Sequence, residues 1–185
     1  MTATVTSAAE LIEFLQSLDG VFDAPPPHGD PVDLLAHGLQ CAHVLRQTRP
    51  DDLGLQLAGL VHDVGHASGT DVDHARAGAR FVAPVLGDRV ATLVGAHVEA
   101  KRYLAAAESD YALSPASRAS LAHQGAAMTP GEQDRFRREP YAQDAIALRR
   151  ADEAAKIVGR EVPGLRSWAP RLVEYCRTLG IPRSR

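Results

Sequence analysis

The sequence predicts an all-α protein on three observations. Apolar residues repeat with the three- and four-residue spacing of helices, and no segment alternates apolar and polar residues as a half-buried strand does. Several segments begin with a capping residue followed directly by proline, which is a helix start signal. The chain has 185 residues, 45% of them hydrophobic, which suffices for one compact domain but not for two. We therefore expect a single helical bundle over residues 1–185.

The N-terminal part should form a short helix, an irregular loop and the first functional helix. The first helix is predicted to be capped at residues 6–7. The proline-rich run 24–27 must be irregular and is placed to act as a lid. Asp30 followed by Pro31 predicts the start of the next helix, on which His37 lies.

The third helix is predicted to end at a histidine and an aspartate. It should begin near residues 51–52 and stop where Gly65 supplies a left-handed C-cap. His62 and Asp63 then lie in its last turn. They border a loop that can open towards a substrate.

Two helices follow, separated by a glycine. The first should begin near Asp73, with His74 in its first turn. The second should run over 88–107 and carry His97 and Lys101, which are four residues apart and share a face.

The C-terminal half contains three more predicted helix starts. Ser114-Pro115 and Thr129-Pro130 are cap-plus-proline pairs, and a last long helix is predicted over 141–157. That helix should present three polar residues on one face: Arg149, Asp152 and Lys156. We expect 163–181 to be a packing segment and 182–185 to fray.

The charge balance favours a small-molecule partner. The 20 basic and 23 acidic residues leave a net charge of −3, so no basic field predicts binding to nucleic acid. Cys41 and Cys176 are two separated cysteines, which are typical of free thiols in a reducing cytoplasm. No basic leader and no apolar run of about 20 residues is seen, so we expect a soluble cytoplasmic protein without a membrane segment. The sequence predicts no oligomeric state.

Six residues form the predicted metal site. Imidazole nitrogen and carboxylate oxygen are ligands that Fe, Mn, Co and Zn accept, whereas Ca and Mg sites are built mostly from oxygen. Neighbouring helical residues point about 100° apart, so the catalytic pair His62-Asp63 suits a dinuclear site in which Asp63 bridges two ions. The predicted ligands are His37, His62 and Asp152 for one ion, His74 and His97 for the other, and Asp63 for both.

The ligand pattern resembles the HD-domain superfamily, whose motif is a histidine, a His-Asp pair and a later aspartate. His74 and His97 resemble the additional ligands of its dinuclear branch. Four further strings, at 97–104, 120–125, 128–130 and 148–156, are similar to the PhnZ-like HD-domain oxygenases of phosphonate catabolism. The resemblance covers about residues 30–156.

This resemblance implies an activity and a cofactor. It implies a di-iron (Fe2+/Fe3+) centre that uses O2 to cleave the carbon-phosphorus bond of a 1-hydroxyphosphonate, releasing phosphate and a carboxylic acid. An example of such a substrate is 2-amino-1-hydroxyethylphosphonate. It also implies a single HD domain with a metal-site core over about 30–157.

Four side chains are candidates for binding the phosphonate group. Lys101 and Arg149 each share a helical face with a proposed ligand, and an arginine offers a fork to two oxygens. Ser120 and Gln124 lie four residues apart and can add neutral hydrogen bonds. The alternative is that the two cations are solvated and the two neutral residues cap a turn.

The entrance loop departs from the resembled family. Those oxygenases carry a tyrosine and a glutamate before the first histidine, and the glutamate holds the substrate ammonium. Here Asp30 can replace the glutamate or act only as an N-cap, and His28 can stand in for the tyrosine. A substrate with no ammonium group, or with a differently placed one, is therefore an open alternative.

Two other functions remain open at this stage. A dinuclear HD phosphohydrolase acting on a phosphate ester or nucleotide would use the same six ligands. A non-catalytic regulatory HD domain would be expected to have lost ligands, whereas all six positions are filled here.

Overall fold

The all-α prediction is confirmed. The computed structural model describes residues 5–25, 28–68 and 73–181, and within these ranges it contains helices and no strand. The helices are α1 (Ala8–Gln16), α2 (Leu34–Thr48), α3 (Leu53–Val61), α4 (His74–Ala107), α5 (Pro115–His123), α6 (Pro130–Arg138), α7 (Ala142–Glu153) and α8 (Leu165–Thr178), with a 3-10 helix at Val64–Ser68. Part of the loop run 24–27 and the tail after residue 181 lie outside the described residues.

Four helices surround the centre of the molecule. α2 packs against α3 and α7, while α4 packs against α3, α7 and the 3-10 helix. Their buried faces share one hydrophobic cluster that includes Leu45, Leu57, Val94 and Leu148. Helices α1 and α8 pack against each other, and α8 carries Trp168 into the same cluster. All the predicted ligand residues come from the central group.

Most predicted helix starts match the structure. Ser7 caps α1, Asp52 caps α3 and Ser114 caps α5, each side chain accepting a backbone N–H in the first turn. Thr129 forms a reciprocal capping box with Glu132 at the start of α6.

The predicted start of α2 at Asp30-Pro31 is wrong. Asp33 is the N-cap, because its carboxylate accepts the Ala36 N–H at 2.8 Å, and the helix begins at Leu34. The Leu34 N–H donates to the Val21 carbonyl at 2.8 Å, and this hydrogen bond links the start of α2 to the segment that follows α1. Asp30 is therefore free of capping and can point elsewhere.

Gly65 does not adopt the predicted left-handed conformation. It lies in the 3-10 helix and is not among the glycines with positive φ, which include Gly87 at 74°. A Cβ at Gly65 would collide with the backbone of His74, so glycine is needed for close approach and not for a turn. At Gly87, by contrast, the predicted break between two helical segments of α4 is present.

The last ligand helix is shorter than predicted. α7 ends at Glu153, and a turn closed by the Ala155 N–H on the Asp152 carbonyl follows it. Lys156 lies beyond that turn, so it does not belong to the helical face of Arg149 and Asp152. Its position is set by tertiary contacts.

α4 is long and apolar enough, by length and composition alone, to cross a membrane. Its bend at Gly87 and its buried residues, which include His97 and Lys101, identify it as a core helix. Cys41 and Cys176 are buried and free, as predicted.

The close packing of α2 on α3 generates a stability prediction. A Cβ at Gly38 would lie well under 3.0 Å from the Leu60 carbonyl oxygen, a backbone atom that cannot move aside cheaply. Gly38→Ala should therefore reduce the free energy of unfolding by about 1–3 kcal/mol, as measured by chemical denaturation. The control is Gly131→Ala in α6, where nothing lies within 4 Å, and it should be neutral or stabilising. Equal stability of the two variants would contradict this account.

Candidate metal centre

Four helices bring the six predicted ligand residues to one place. His37 lies on α2, His62 and Asp63 directly follow α3, and Asp152 lies in the last turn of α7. The other two, His74 and His97, lie on either side of the α4 bend. The histidines and Asp152 are buried, and only the side chain of Asp63, 16% exposed, opens slightly to solvent.

The first group of ligand atoms consists of His37, His62 and Asp152. One ligand atom from each lies within 4.8 Å of the others. The two Nε2 atoms are 3.1 Å apart, and Asp152 Oδ1 lies 3.3 Å from His37 Nε2 and 3.7 Å from His62 Nε2. The three side chains therefore converge on one point.

The second group lies on the other side of Asp63. His74 and His97 have their Nε2 atoms 3.0 Å apart. Asp63 Oδ1 lies 3.7 Å from the first and 3.5 Å from the second. His66 Nε2 also lies 3.9 Å from that oxygen, and the His66 ring stacks on the His74 ring with centroids 4.0 Å apart.

Asp63 spans the two groups. Its Oδ2 lies 3.3 Å from both His37 Nε2 and His62 Nε2, while its Oδ1 faces His74 and His97. One carboxylate oxygen is thus directed at each group. This arrangement suits a carboxylate that bridges two metal ions.

The orientation of the imidazoles fits metal binding. The Nδ1 atoms of His37, His62 and His97 lie 3.1, 2.9 and 2.6 Å from the backbone carbonyls of Ala155, Gly59 and Val94. A carbonyl only accepts, so each Nδ1 carries a proton, and a ring in its neutral form presents its Nε2 lone pair to the centre. Two Nε2 lone pairs 3.1 Å apart repel each other unless a proton or a metal ion lies between them.

The carboxylates of the centre favour positive charge. Burial opposes ionisation, yet Asp152 and Asp63 raise the pKa of His37 to about 9, and the same carboxylates raise the pKa of His62 to about 10. Burial alone would raise the pKa of Asp152, but Arg149 and Lys156 hold it well below its usual range. Asp152 Oδ1 is buried and has no hydrogen-bond partner within the part of the chain that the structure describes. The donor set therefore fits divalent metal ions.

A cavity of about 260 Å³ opens beside the second group of ligands. The six residues predicted to bind substrate all line it: His28, Asp30, Lys101, Ser120, Gln124 and Arg149. Asp63, His74, His97 and Asp152 also reach it, whereas His37 and His62 lie deeper. The fold thus brings the predicted substrate residues and the predicted metal ligands to the same space.

Lys101 is a buried cation that lines the cavity. Its side chain is 4% exposed, and its Nζ donates to Ser120 Oγ at 2.8 Å. Among the described residues no acidic oxygen lies within ion-pair distance of it. Burial, reinforced by the nearby charge of Arg149, lowers the pKa of Lys101 to about 8. An unpaired buried ammonium group beside a cavity is suited to bind an anion.

Arg149 is held by protein partners. Its Nε donates to the Tyr111 hydroxyl at 3.1 Å, and its Nη2 donates to Ser117 Oγ at 2.9 Å. It also forms ion pairs with Asp152 and Glu153. The guanidinium therefore orients the Asp152 carboxylate, and it adds positive charge to the cavity without presenting an open fork.

Several cavity residues were not predicted to bind substrate. His66 follows the His-Asp pair by one turn, and Ser117 lies one turn before Ser120 on α5. Their helical spacing from predicted site residues was therefore the sequence feature that could have identified both. Asp23 and Lys156 also line the cavity. Helical spacing connected Lys156 to the proposed ligand Asp152 without giving it a substrate role, and no spacing rule connects Asp23 to the ligands.

The family model described as HD domain matches residues 34–156. The chain belongs to the HD-domain family. Two relatives of this HD protein are informative. It is 34% identical, over 87% of its own length and 88% of the relative's, to a hydroxymethylphosphonate dioxygenase of Gimesia maris. It is 32% identical, over 86% and 87%, to a [1-hydroxy-2-(trimethylamino)ethyl]phosphonate dioxygenase (glycine-betaine-forming) of Leisingera caerulea.

The position of Asp63 generates a prediction about metal content. Asp63→Ala removes the one carboxylate directed at both ligand groups, so the metal bound per chain should fall by at least half in elemental analysis of purified protein. Asp134→Ala, which changes an exposed carboxylate on α6, is the matched control and should bind metal like the wild type. Full metal content in Asp63→Ala would remove this residue as a bridge.

Proposed function

We propose that this HD protein is a dioxygenase that cleaves the carbon-phosphorus bond of a 1-hydroxyphosphonate. In the balanced reaction, R–CH(OH)–PO3²⁻ and O2 yield R–COO⁻, HPO4²⁻ and one proton. The carbon-phosphorus bond and the C1–H bond break, C1 is oxidised to the level of a carboxylate, and dioxygen is reduced. Both relatives bear the names of dioxygenases that act on 1-hydroxyphosphonates, which supports this reaction class.

The observation that carries the proposal is the unpaired Lys101 ammonium beside the ligand cluster. A phosphonate dianion needs a positive partner in addition to metal ions, and none of the carboxylates in the described parts of the chain pairs with Lys101. Ser120 accepts a hydrogen bond from Lys101 and fixes the direction of the ammonium group. Gln124 lines the same cavity, and its buried Oε1 has no partner among the residues that the structure describes, so it can accept a hydrogen bond from the 1-hydroxyl group of the substrate.

In the proposed enzyme the ligand set holds two iron ions. His37, His62 and Asp152 would hold one, His74 and His97 the other, and Asp63 both. When bound, the iron pair supplies the redox chemistry with dioxygen. The chain itself orients the imidazoles through backbone carbonyls, holds Asp152 through Arg149 and binds the phosphonate through Lys101.

A dinuclear phosphohydrolase would share these ligands, so dioxygen dependence is the decisive test. Iron-loaded protein, purified anaerobically, is mixed with hydroxymethylphosphonate with and without O2, and phosphate is followed by phosphorus NMR. We expect phosphate and formate to form in equal amounts only when O2 is present. Equal phosphate release without O2 would overturn the oxygenase and favour the hydrolase.

The lowered pKa of Lys101 predicts a pH effect on substrate capture. The ammonium form binds the dianion and is lost as the pH rises through about 8, so kcat/KM should fall above that pH. Lys101→Met should reduce kcat/KM by about tenfold to a hundredfold and abolish this alkaline fall. Lys101→Arg, which stays charged, is the control and should shift the fall to higher pH. An unchanged alkaline fall in Lys101→Met would exclude Lys101 as its origin.

A further inference from the structure

The cavity has a second lysine that is bound quite differently from Lys101. Lys156 Nζ lies 2.8 Å from Asp30 Oδ2 and 2.8 Å from Ser117 Oγ, and its side chain is 9% exposed. Its N–H groups thus donate hydrogen bonds to other side chains of the protein. Lys156 is therefore not available as a second phosphonate anchor.

Asp30 is neutralised by this contact. Besides the ion pair with Lys156, its Oδ1 accepts a 3.4 Å hydrogen bond from the Ser114 hydroxyl. The Asp30 side chain is only 12% exposed, so the pair lies where water screens it weakly. A positively charged substrate group near Asp30 would meet a carboxylate already paired and an ammonium group of like charge.

The remaining acid at the cavity entrance has a structural role. Asp23 Oδ1 accepts the N–H groups of Ala24 and Asp30, both at 2.9 Å, and so closes the entrance loop. Burial raises the pKa of Asp23, which disfavours its charged form. Asp23 is therefore a poor site for a substrate cation, although it is the acid that must be tested as a rival.

The cavity wall also lacks the groups that bind quaternary ammonium. Aromatic side chains recognise such cations through their faces. The described residues lining the cavity include no Phe, Tyr or Trp, and α5 contributes the small apolar side chains of Ala116 and Ala119. This wall suits a small substituent without charge.

We propose that Lys156 is a specificity-determining residue that restricts the enzyme to 1-hydroxyphosphonates whose C1 substituent carries no positive charge. By occupying Asp30, Lys156 removes the acid that would otherwise receive an ammonium group. The substrate class is then hydroxymethylphosphonate and its short alkyl homologues. This inference rests on the proposed function for its substrate class, whereas the Asp30–Lys156 contact is independent of it.

The test compares two substrates that differ only in charge. 1-Hydroxypropylphosphonate and 2-amino-1-hydroxyethylphosphonate carry a methyl group and an ammonium group at the same position. Wild-type enzyme should prefer the uncharged compound by about tenfold or more in kcat/KM. The reason is that the Lys156 ammonium group repels the substrate ammonium group in a cavity where water screens charges weakly. Lys156→Met should shift this ratio by about tenfold towards the amine, since Asp30 is then unpaired.

Three variants serve as controls. Lys156→Arg keeps the charge and should keep the wild-type preference, whereas Lys156→Met combined with Asp30→Asn should lose the shift. Asp23→Asn tests the rival acid and should leave the ratio unchanged. A wild-type preference for the amine, or a folded Lys156→Met with the wild-type ratio, would overturn the proposal. If Lys156→Met does not fold, Asp30→Asn decides, because a loss of amine turnover in that variant would show that Asp30 binds ammonium.

A binding experiment separates this inference from the reaction. Propylphosphonate and 2-aminoethylphosphonate lack the 1-hydroxyl group and differ only in the methyl and ammonium groups. Calorimetric titration of iron-loaded, anaerobic protein should show about tenfold tighter binding of propylphosphonate, and Lys156→Met should reverse or remove that difference. If no 1-hydroxyphosphonate is turned over but this difference is found, the proposed reaction fails and the charge selection stands. Tighter binding of 2-aminoethylphosphonate by the wild type would refute the charge selection.

Discussion

The carboxylate of Asp63 is the element on which the rest of the site depends. It has one oxygen 3.3 Å from His37 and His62 and the other directed at His74 and His97. This placement requires the chain to leave α3 at His62 and enter the 3-10 helix at once. It also requires α4 to start very close by, which the missing side chain at Gly65 allows. The backbone path after α3 therefore places the carboxylate of Asp63 between two pairs of imidazoles.

Charge balance explains the surroundings of that carboxylate. Asp152 is buried and Asp63 is half-buried, and carboxylates in such surroundings are stable only beside compensating positive charge. Arg149 supplies part of this compensation, and divalent metal ions held by the imidazoles would supply the rest. Among the described Lys and Arg residues that line the cavity, Arg149 and Lys156 are bound to carboxylates and Lys101 is not. The distinction between paired and unpaired cations, and not their number, defines where an anion can bind.

The six proposed ligands and the helices that carry them could be identified from the sequence, because metal-binding side chains are few and helix start signals are local. Errors occurred where a local signal had two readings. Asp30-Pro31 predicted the start of α2, but the structure places the N-cap at Asp33, and a tertiary hydrogen bond from the Leu34 N–H to the Val21 carbonyl accompanies that later start. Because Asp30 does not cap α2, its carboxylate forms an ion pair with Lys156.

By itself the sequence determined the all-α class, the order of the helices and the residue types able to bind metal, because these follow from periodicity, capping and side-chain chemistry. Only the tertiary structure decided which charges are paired. In the sequence, Arg149, Lys156 and Lys101 are all basic residues close to proposed ligands. In the structure, Arg149 and Lys156 contact acids, whereas no acid in the described ranges contacts Lys101. Pairing depends on distances of a few ångströms between side chains from different helices, and these distances exist only once the helices have packed.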